Sequence, residues 1–298
     1  MYKSSTQWFP RIGYSPRGKD QGRSWPPQRF PMIGTELVRE FVGTILLTGR
    51  IVGERPVSAF IIASPEHGKT SIVLETPFPN AIDVSDATGR GFQEILKYKP
   101  EISHIIINDM TAISAHSRNV KAYSIATINA MTEEGVRSVA FPGQVEVFPN
   151  GIRGIIACAT PDLIADGRLW WNKIGLTTRI LPFAYSYPGP LILSIKNAID
   201  RHLPDGKPRT INVPTIPIHV LYGRNETEEV RKMADQKSIE LKDDTGVRRL
   251  KQLHRLTMAH AILRGDWKKC TVIEEDVQFI RRIYPYISYE IQPELSAP

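Results

Sequence analysis

The sequence predicts an α/β fold, in which helices cover a mainly parallel sheet and a smaller helical domain follows. Three observations support this prediction. Short apolar runs alternate with helical patterns over residues 33–188, which is typical of a parallel sheet buried on both faces. The chain beyond residue 225 has helical spacing. A length of 298 residues, 41% of them apolar, is enough for a sizeable core.

The predicted elements follow in a regular order. A first helix is predicted in "GTELVREFVGTILLTG" by its apolar spacing. The predicted strands are "VSAFIIA", "NAIDVSD", "SHIIIND", "RGIIACATP" and the apolar part of "GLTTRILPFAYSY". The predicted helices between them are "GKTSIVLET", "TGRGFQEILKYKP" and "RNVKAYSIATINAMTEEG", and "SVAFPGQVEVFPNG" is typical of a short hairpin.

Helix ends are predicted from capping residues. Thr88 is expected to cap the helix that stops before Pro100. Near the C-terminus, Thr271 and Glu274 have the spacing of a capping box and predict a helix start there.

Composition shifts predict four segments. Residues 1–32 are a basic, Pro- and Gly-rich arm expected to be irregular, and residues 33–188 are the α/β core. Residues 189–225 are a Pro-rich linker, and residues 226–298 are a helical lid domain. The arm alternates aromatic and cationic residues, a mixture that can stack on bases and contact phosphates.

Charge and cysteine content narrow the function classes. The net charge of +7 favours acidic partners such as nucleic acid. Two distant cysteines, Cys158 and Cys270, form neither a disulfide framework nor a zinc site. No apolar run is long enough to span a bilayer and no secretory signal opens the chain, so we expect a cytoplasmic protein without membrane contact, or a phage- or plasmid-encoded one acting in its host's cytoplasm.

A phosphate-binding loop is predicted in "ASPEHGKTS", which follows a strand and precedes a helix. Gly68, Lys69 and Thr70 match the end of the P-loop pattern, whereas Ala63 stands where its first glycine belongs. Backbone N–H groups of such a loop hold phosphates, the lysine reaches the β- and γ-phosphates, and the hydroxyl binds Mg²⁺. The predicted nucleotide-binding residues are Ala63, Ser64, Pro65, Glu66, His67, Gly68, Lys69, Thr70 and Ser71.

A carboxylate is also expected at the end of a neighbouring strand, and "HIIINDM" supplies Asp109. Two assignments of Asn108 and Asp109 to these roles remain open. Either Asp109 is the metal-side carboxylate and the usual catalytic glutamate is missing, or Asn108 fills the metal position and Asp109 activates water. We favour the first, with Thr70 and Asp109 as the metal residues.

In this order the segments resemble the AAA+ ATPase family over residues 36–283. "ASPEHGKT" is similar to its Walker A motif and "HIIIND" to its Walker B motif. "GIIACATP" resembles the sensor 1 strand, with Thr160 at the polar position, and "GLTTRILPF" resembles the arginine-finger segment, with Arg179 matching. "GVRRLKQLHRLTMAHAILRG" is similar to the lid helices of minichromosome-maintenance helicases and MoxR-type ATPases, where Arg248 matches the sensor 2 arginine and Arg249 is the neighbouring alternative.

The resemblance implies a P-loop NTPase sheet with a helical lid, which uses ATP and Mg²⁺. It implies that Arg248 joins Lys69 and Mg²⁺ on the phosphates, whereas Arg179 acts in trans from the next subunit. A ring or helical homo-oligomer follows, in that family a hexamer. The basic charge, the arm and the lid favour work on DNA as a helicase, a helicase loader or a related replication factor with a partner protein. The alternatives are a MoxR-like machine that remodels proteins, and a nucleotide-binding structural subunit that hydrolyses poorly.

Two other segments carry weaker hypotheses. "RLWWNK" is expected either to form a subunit contact or to pack an indole in the core. "AHSRNVKAYS" contains His116, Arg118 and Lys121, which either face a pore or form a solvated helix face.

Overall fold

The fold is known from a computed structural model, which describes residues 33–76, 78–141, 143–201, 211–243, 245–265, 267–291 and 295. The arm predicted for residues 1–32 lies outside these described residues.

A five-stranded parallel sheet forms the centre of the molecule, as the alternation of apolar runs predicted. Its strands are β1 (Ser58–Ile62), β2 (Ala81–Val84), β3 (His104–Ile107), β6 (Gly154–Ala159) and β7 (Ile180–Ala184). They lie in the order β2-β3-β6-β1-β7. The strands β4 (Ser138–Phe141) and β5 (Gln144–Val147) form the predicted hairpin outside this sheet.

Helices connect the strands and cover both faces of the sheet. Those of the first two thirds of the chain are α1 (Glu36–Leu47), α2 (Lys69–Leu74), α3 (Gly89–Tyr98), α4 (Met110–Ala115), α5 (Arg118–Met131), α6 (Pro161–Lys173), α7 (Leu176–Arg179) and α8 (Gly189–Asp200). The C-terminal part contains α9 (Arg224–Leu241), α10 (Val247–Leu263) and α11 (Glu274–Ile283). The mixed α/β fold, with a parallel sheet and flanking helices, is therefore confirmed.

Successive residues of β1 serve two apolar cores on opposite faces of the sheet. Ala59 and Ile61 pack in a core that includes α1, α10 and α11, and Phe60 and Ile62 pack in a core that includes α3, α5 and Trp171. This alternation follows from the period of two in a strand. Because both faces are covered, only the two edges where the strands begin and end are left for polar chemistry.

The C-terminal helices continue the first core instead of forming a separate one, since α1 packs on α10. A buried polar cluster lies between them. His260 Nδ1 is 2.7 Å from Asp276 Oδ1, and His260 Nε2 is 3.2 Å from Glu40 Oε1 on α1. The cluster holds the C-terminal helices on the α/β part.

Two local predictions differ from the structure. α8 lies within the segment that was predicted to be a Pro-rich linker, and its buried Leu191, Ile195 and Ala198 form an apolar stripe. The capping box of Thr271 and Glu274 was wrong: Asp276 Oδ2 accepts from the Ile273 N–H at 2.9 Å, while Thr271 Oγ1 contacts a carbonyl. Asp276 takes this role because it is already buried against His260 and Arg264. The cap predicted at Thr88 is confirmed, since its side chain accepts from the Gly91 N–H.

In the part of the chain that the structure describes, no helix combines the length and apolar character needed to cross a membrane.

Candidate phosphate-binding site

The loop between β1 and α2 turns sharply through two left-handed residues. Glu66 has a φ of 66° and Gly68, which caps α2, has a φ of 69°. Glycine adopts this region freely, but for Glu66 it costs about 1 kcal/mol. Successive backbone N–H groups in turns with such left-handed residues can form a concave site that binds anions.

Lys69 is folded back over its own loop. Its Nζ donates to the carbonyl oxygens of Ala63 at 2.8 Å and Ser64 at 2.9 Å. Burial lowers the pKa of Lys69, although Cys158 and Asp109 raise it in part. The amine is thus half-buried at the mouth of the loop, on neutral acceptors that an anionic ligand can replace.

Two tyrosines that the sequence reasoning missed support the loop from β7. The hydroxyl of Tyr185 donates to the His67 carbonyl at 2.8 Å. The imidazole of His67 stacks on Tyr187 with ring centroids 5.1 Å apart and an interplanar angle of 11°. Both tyrosines follow the end of a strand that neighbours β1, which is the signal that could have found them.

The ends of β3 and β6 lie at the same edge of the sheet as this loop. Thr70 Oγ1 donates to the Asn108 carbonyl at 3.2 Å, which joins the loop to β3. Asp109 is exposed, and its Oδ1 accepts from the Thr111 N–H at 2.8 Å, which caps α4. Thr160 caps α6 in the same manner, through a weaker bond to the Leu163 N–H at 3.4 Å. The side-chain oxygen of Asn108 is buried without a hydrogen-bond partner among the described residues.

The remaining predicted loop residues surround Lys69 in the expected order. Ala63 is buried, Ser64 and Ser71 are half-buried, and Pro65 and Glu66 are exposed. The structure therefore brings together, at the carboxyl edge, residues 63–71 with Asn108, Asp109 and Thr160.

The oxygen donors at this edge suit Mg²⁺ that arrives with a nucleotide. Across the described ranges there is no group of three His, Cys, Asp or Glu that could hold a metal without further ligands. Mg²⁺ commonly uses one or two protein oxygens together with phosphate oxygens and water. The Thr70 hydroxyl and the second carboxylate oxygen of Asp109, with the unpartnered Asn108 oxygen nearby, fit that donor set.

Arg179 lies at the opposite edge of the sheet. It directly precedes β7, whose first residue pairs with Ser58 at the start of β1. Arg179 Nε donates to Glu133 Oε2 at 2.7 Å, and its Nη1 donates to Asn129 Oδ1 at 3.0 Å and to the Gly175 carbonyl at 3.1 Å.

Arg248 is beside Arg179, not beside Lys69. Arg248 Nε lies 2.9 Å from both carboxylate oxygens of Glu133, and its Nη1 donates to Thr178. Burial raises the pKa of Glu133, but hydrogen bonds from Arg248 and Arg179 outweigh it and the pKa is lowered. The alternative arginine, Arg249, is fully buried against Asp243 and has no access to a ligand.

Further cations surround these two arginines in a cleft of about 200 Å³ at the start of β1. Arg55, Lys251 and Arg255 line it together with Arg179 and Arg248. Arg255 pairs with Glu54 at 2.6 Å. Cations outnumber carboxylates here, so the amino edge of the sheet is a second place where an anion is favoured.

Comparisons with known proteins add little to this description. No protein-family model and no curated protein matches the sequence. Among solved structures, the chain is similar to a full-length MCM homolog from Methanopyrus kandleri, with 13% sequence identity and a TM-score of 0.49. The match covers 87% of this chain and 57% of that chain, so this chain spans little more than half of the homolog's length.

Proposed function

We propose that the protein is an ATPase of the AAA+ type, whose triphosphate site is at the carboxyl edge of the sheet and is completed by a second copy of the chain. One observation carries the proposal. Lys69 lies across a loop with two left-handed residues, between the end of β1 and the end of β3, on acceptors that a phosphate would replace.

The chain's own residues have distinct roles in this proposal. The N–H groups of the loop bind the phosphates, and Lys69 offsets their charge. The unpartnered oxygen of Asn108 is an acceptor that can orient a water molecule. Thr160 is the polar group at the end of β6 that faces the same edge. When bound, Mg²⁺ would neutralise phosphate charge, held by Thr70 and Asp109.

The proposal requires a second copy of the chain because, within one chain, Lys69 lies at one edge of the sheet and Arg179 and Arg248 lie at the other. The five residues of β1 separate the two edges by roughly 13 Å, at about 3.3 Å per residue. Arg179 and Arg248 are therefore proposed to act on the neighbour's nucleotide. Such a contact joins unlike surfaces and generates a ring or a helix, and a hexamer is the closed form we propose.

Nucleic acid is the proposed substrate of the motor, as a helicase, a helicase loader or a related replication factor. The support is the net charge of +7, which favours an acidic partner.

The test is phosphate release from ATP by the full chain and by Lys69→Ala, with Lys232→Ala as the matched control on the exposed surface of α9. We expect Lys69→Ala to lower turnover on the order of 100-fold or more, in the range that loss of one preorganised charge-stabilising donor produces. The control should match the wild type. Similar phosphate release from Lys69→Ala and the wild type would rule out this site.

A nucleotide-binding subunit with slow hydrolysis is the second candidate, and a specific contact favours it. Asp109 already uses Oδ1 to cap α4, its other oxygen is assigned to Mg²⁺, and no glutamate follows it to activate water. Tight binding of labelled ATP without phosphate release, in the assembled protein, would identify this second function.

A further inference from the structure

A groove between α5 and α6 combines an accessible indole with two cations. Its volume is about 770 Å³. Arg118 and Lys121 line it from the first turn of α5, and Trp170 lines it from α6. We propose that this groove binds single-stranded nucleic acid, with a base on Trp170 and backbone phosphates on Arg118 and Lys121. The inference deepens the nucleic-acid part of the proposed function and rests on it.

The indole is accessible because its neighbour in the chain anchors the helix. Trp171 is 2% exposed and stacks on Phe60, with ring centroids 5.5 Å apart. Gly167 permits this packing, since a Cβ there would be 2.6 Å from ring atoms of Trp171. With Trp171 directed into the core, Trp170 is on the groove side and 36% exposed. The fold thus supplies one indole for stability and the other for contact.

The two cations of the groove are at a position that the helix itself does not favour. Among the described residues, neither Arg118 nor Lys121 forms an ion pair, and the first turn of α5 contains no acidic residue. Cations near a helix N-terminus are disfavoured by the helix dipole. Spaced three residues apart, they lie on the same face of α5, so both can contact one extended anion.

The combination selects the ligand class. An aromatic face together with cations that follow a backbone is how single strands are bound without sequence preference. The groove extends along α5 from Arg118 to Ile125, about 10 Å at the rise of an α-helix. Asp166 is the carboxylate that lines it, so the lining remains cationic overall. An acidic peptide would use the cations but would leave the indole without a flat partner.

The experiment measures binding of a fluorescently labelled oligo-dT of about 20 nucleotides to the full chain by anisotropy, over a series of salt concentrations. We expect Trp170→Ala to weaken binding on the order of 10-fold, and Trp170→Phe to restore most of the affinity, since a base stacks on any aromatic face. The double variant Arg118→Gln, Lys121→Gln should reduce the slope of log affinity against log salt by about 1.4, the value for two phosphate contacts on a single strand.

Two controls make the outcome specific. Lys232→Gln removes an exposed charge on α9, and Leu169→Ala removes an exposed apolar side chain next to Trp170 that does not line the groove. Both should bind oligo-dT like the wild type. Wild-type affinity in the Trp170→Ala and double variants would overturn the proposal. So would unchanged affinity with a changed sedimentation coefficient in Trp170→Ala, which would identify the groove as a contact between copies.

ATP turnover by the wild type is also measured without oligonucleotide, so that failure of the groove proposal can be told apart from failure of the ATPase proposal. Hydrolysis without groove-dependent oligo-dT binding would refute this inference and leave the ATPase. Groove-dependent binding without hydrolysis would refute the ATPase and leave the groove.

Discussion

A neutral histidine at the amino edge of the sheet makes the protein sensitive to acid, and the size of the effect can be worked out. The imidazole of His104 is completely buried, its Nε2 donates to the Val57 carbonyl at 3.2 Å, and its Nδ1 lies 3.0 Å from Ser103 Oγ. Gly154 is in direct contact, since a Cβ there would be 2.3 Å from the ring. Burial lowers the pKa of His104 from 6.5 to about 4.

The depressed pKa links protonation to unfolding. Below pH 6.5 the unfolded chain binds a proton at this position, but the folded chain does not until the pH approaches 4. The contribution of His104 is therefore fully present above pH 6.5 and is lost as the pH falls toward 4. A difference of 2.5 pKa units corresponds to about 3 kcal/mol of unfolding free energy.

The assay compares urea unfolding of the wild type and of His104→Gln at about pH 7.5 and about pH 4. Glutamine can still donate to the Val57 carbonyl but does not titrate. Carboxylates and other histidines affect both proteins alike, so the wild type should lose about 3 kcal/mol more than the variant. Equal losses in the two proteins would refute the reasoning.

Two further predictions concern stability. Glu133→Gln should lower the free energy of unfolding in urea by only about 1 kcal/mol, because Arg179 keeps its neutral partners. Glu134→Gln, whose side chain is 76% exposed, should stay within about 0.5 kcal/mol of the wild type. Equal effects of the two substitutions would contradict the role of the half-buried Glu133 contact. His260 should stabilise the fold at low pH. Burial lowers the pKa of His260, but hydrogen bonds to Asp276 and Glu40 outweigh burial and raise it overall. Its contribution to stability is therefore complete below pH 6.5 and is lost as the pH rises through the pKa of the folded state. A pH series of unfolding free energies in which His260→Gln declines above pH 6.5 as steeply as the wild type would disprove this link.

The fold could be predicted where burial decides the pattern. β1, β3 and β6 are buried on both faces, so their apolar runs stand out in the sequence. α8 was missed because the Pro-rich run at residues 203–220 suggested a linker for the whole segment, although Leu191, Ile195 and Ala198 have helical spacing. The wrong cap at α11 has a tertiary cause, since Asp276 is held by His260 on α10 and by Arg264 directly after it, which local sequence cannot show.

The positions of the candidate site residues, too, could be predicted only in part from the sequence. The edge at which the loop residues and Asp109 lie could be predicted, because a motif that follows a strand fixes its edge of a parallel sheet. The sequence could not predict at which edge of the sheet Arg248 lies, because the packing of α10 decides where the first turn of that helix is placed. Local spacing could not choose between Arg248 and Arg249 either, whereas burial does: Arg249 is fully buried, and the side chain of Arg248 is 44% exposed.

Because the loop and the paired arginines lie at opposite edges of one sheet, the proposed function makes a last prediction about mixtures. Lys69→Ala removes the loop lysine but keeps the arginine edge, and Arg179→Ala does the reverse, so each alone should lack complete sites. In an equal mixture of subunits that exchange freely, about a quarter of the contacts pair an intact loop with an intact arginine, since a head-to-tail contact uses one edge from each copy. Phosphate release should therefore rise to about a quarter of the wild-type rate, which neither variant reaches. Mixtures no more active than the variants alone, under conditions where labelled subunits do exchange, would mean that Arg179 serves its own chain.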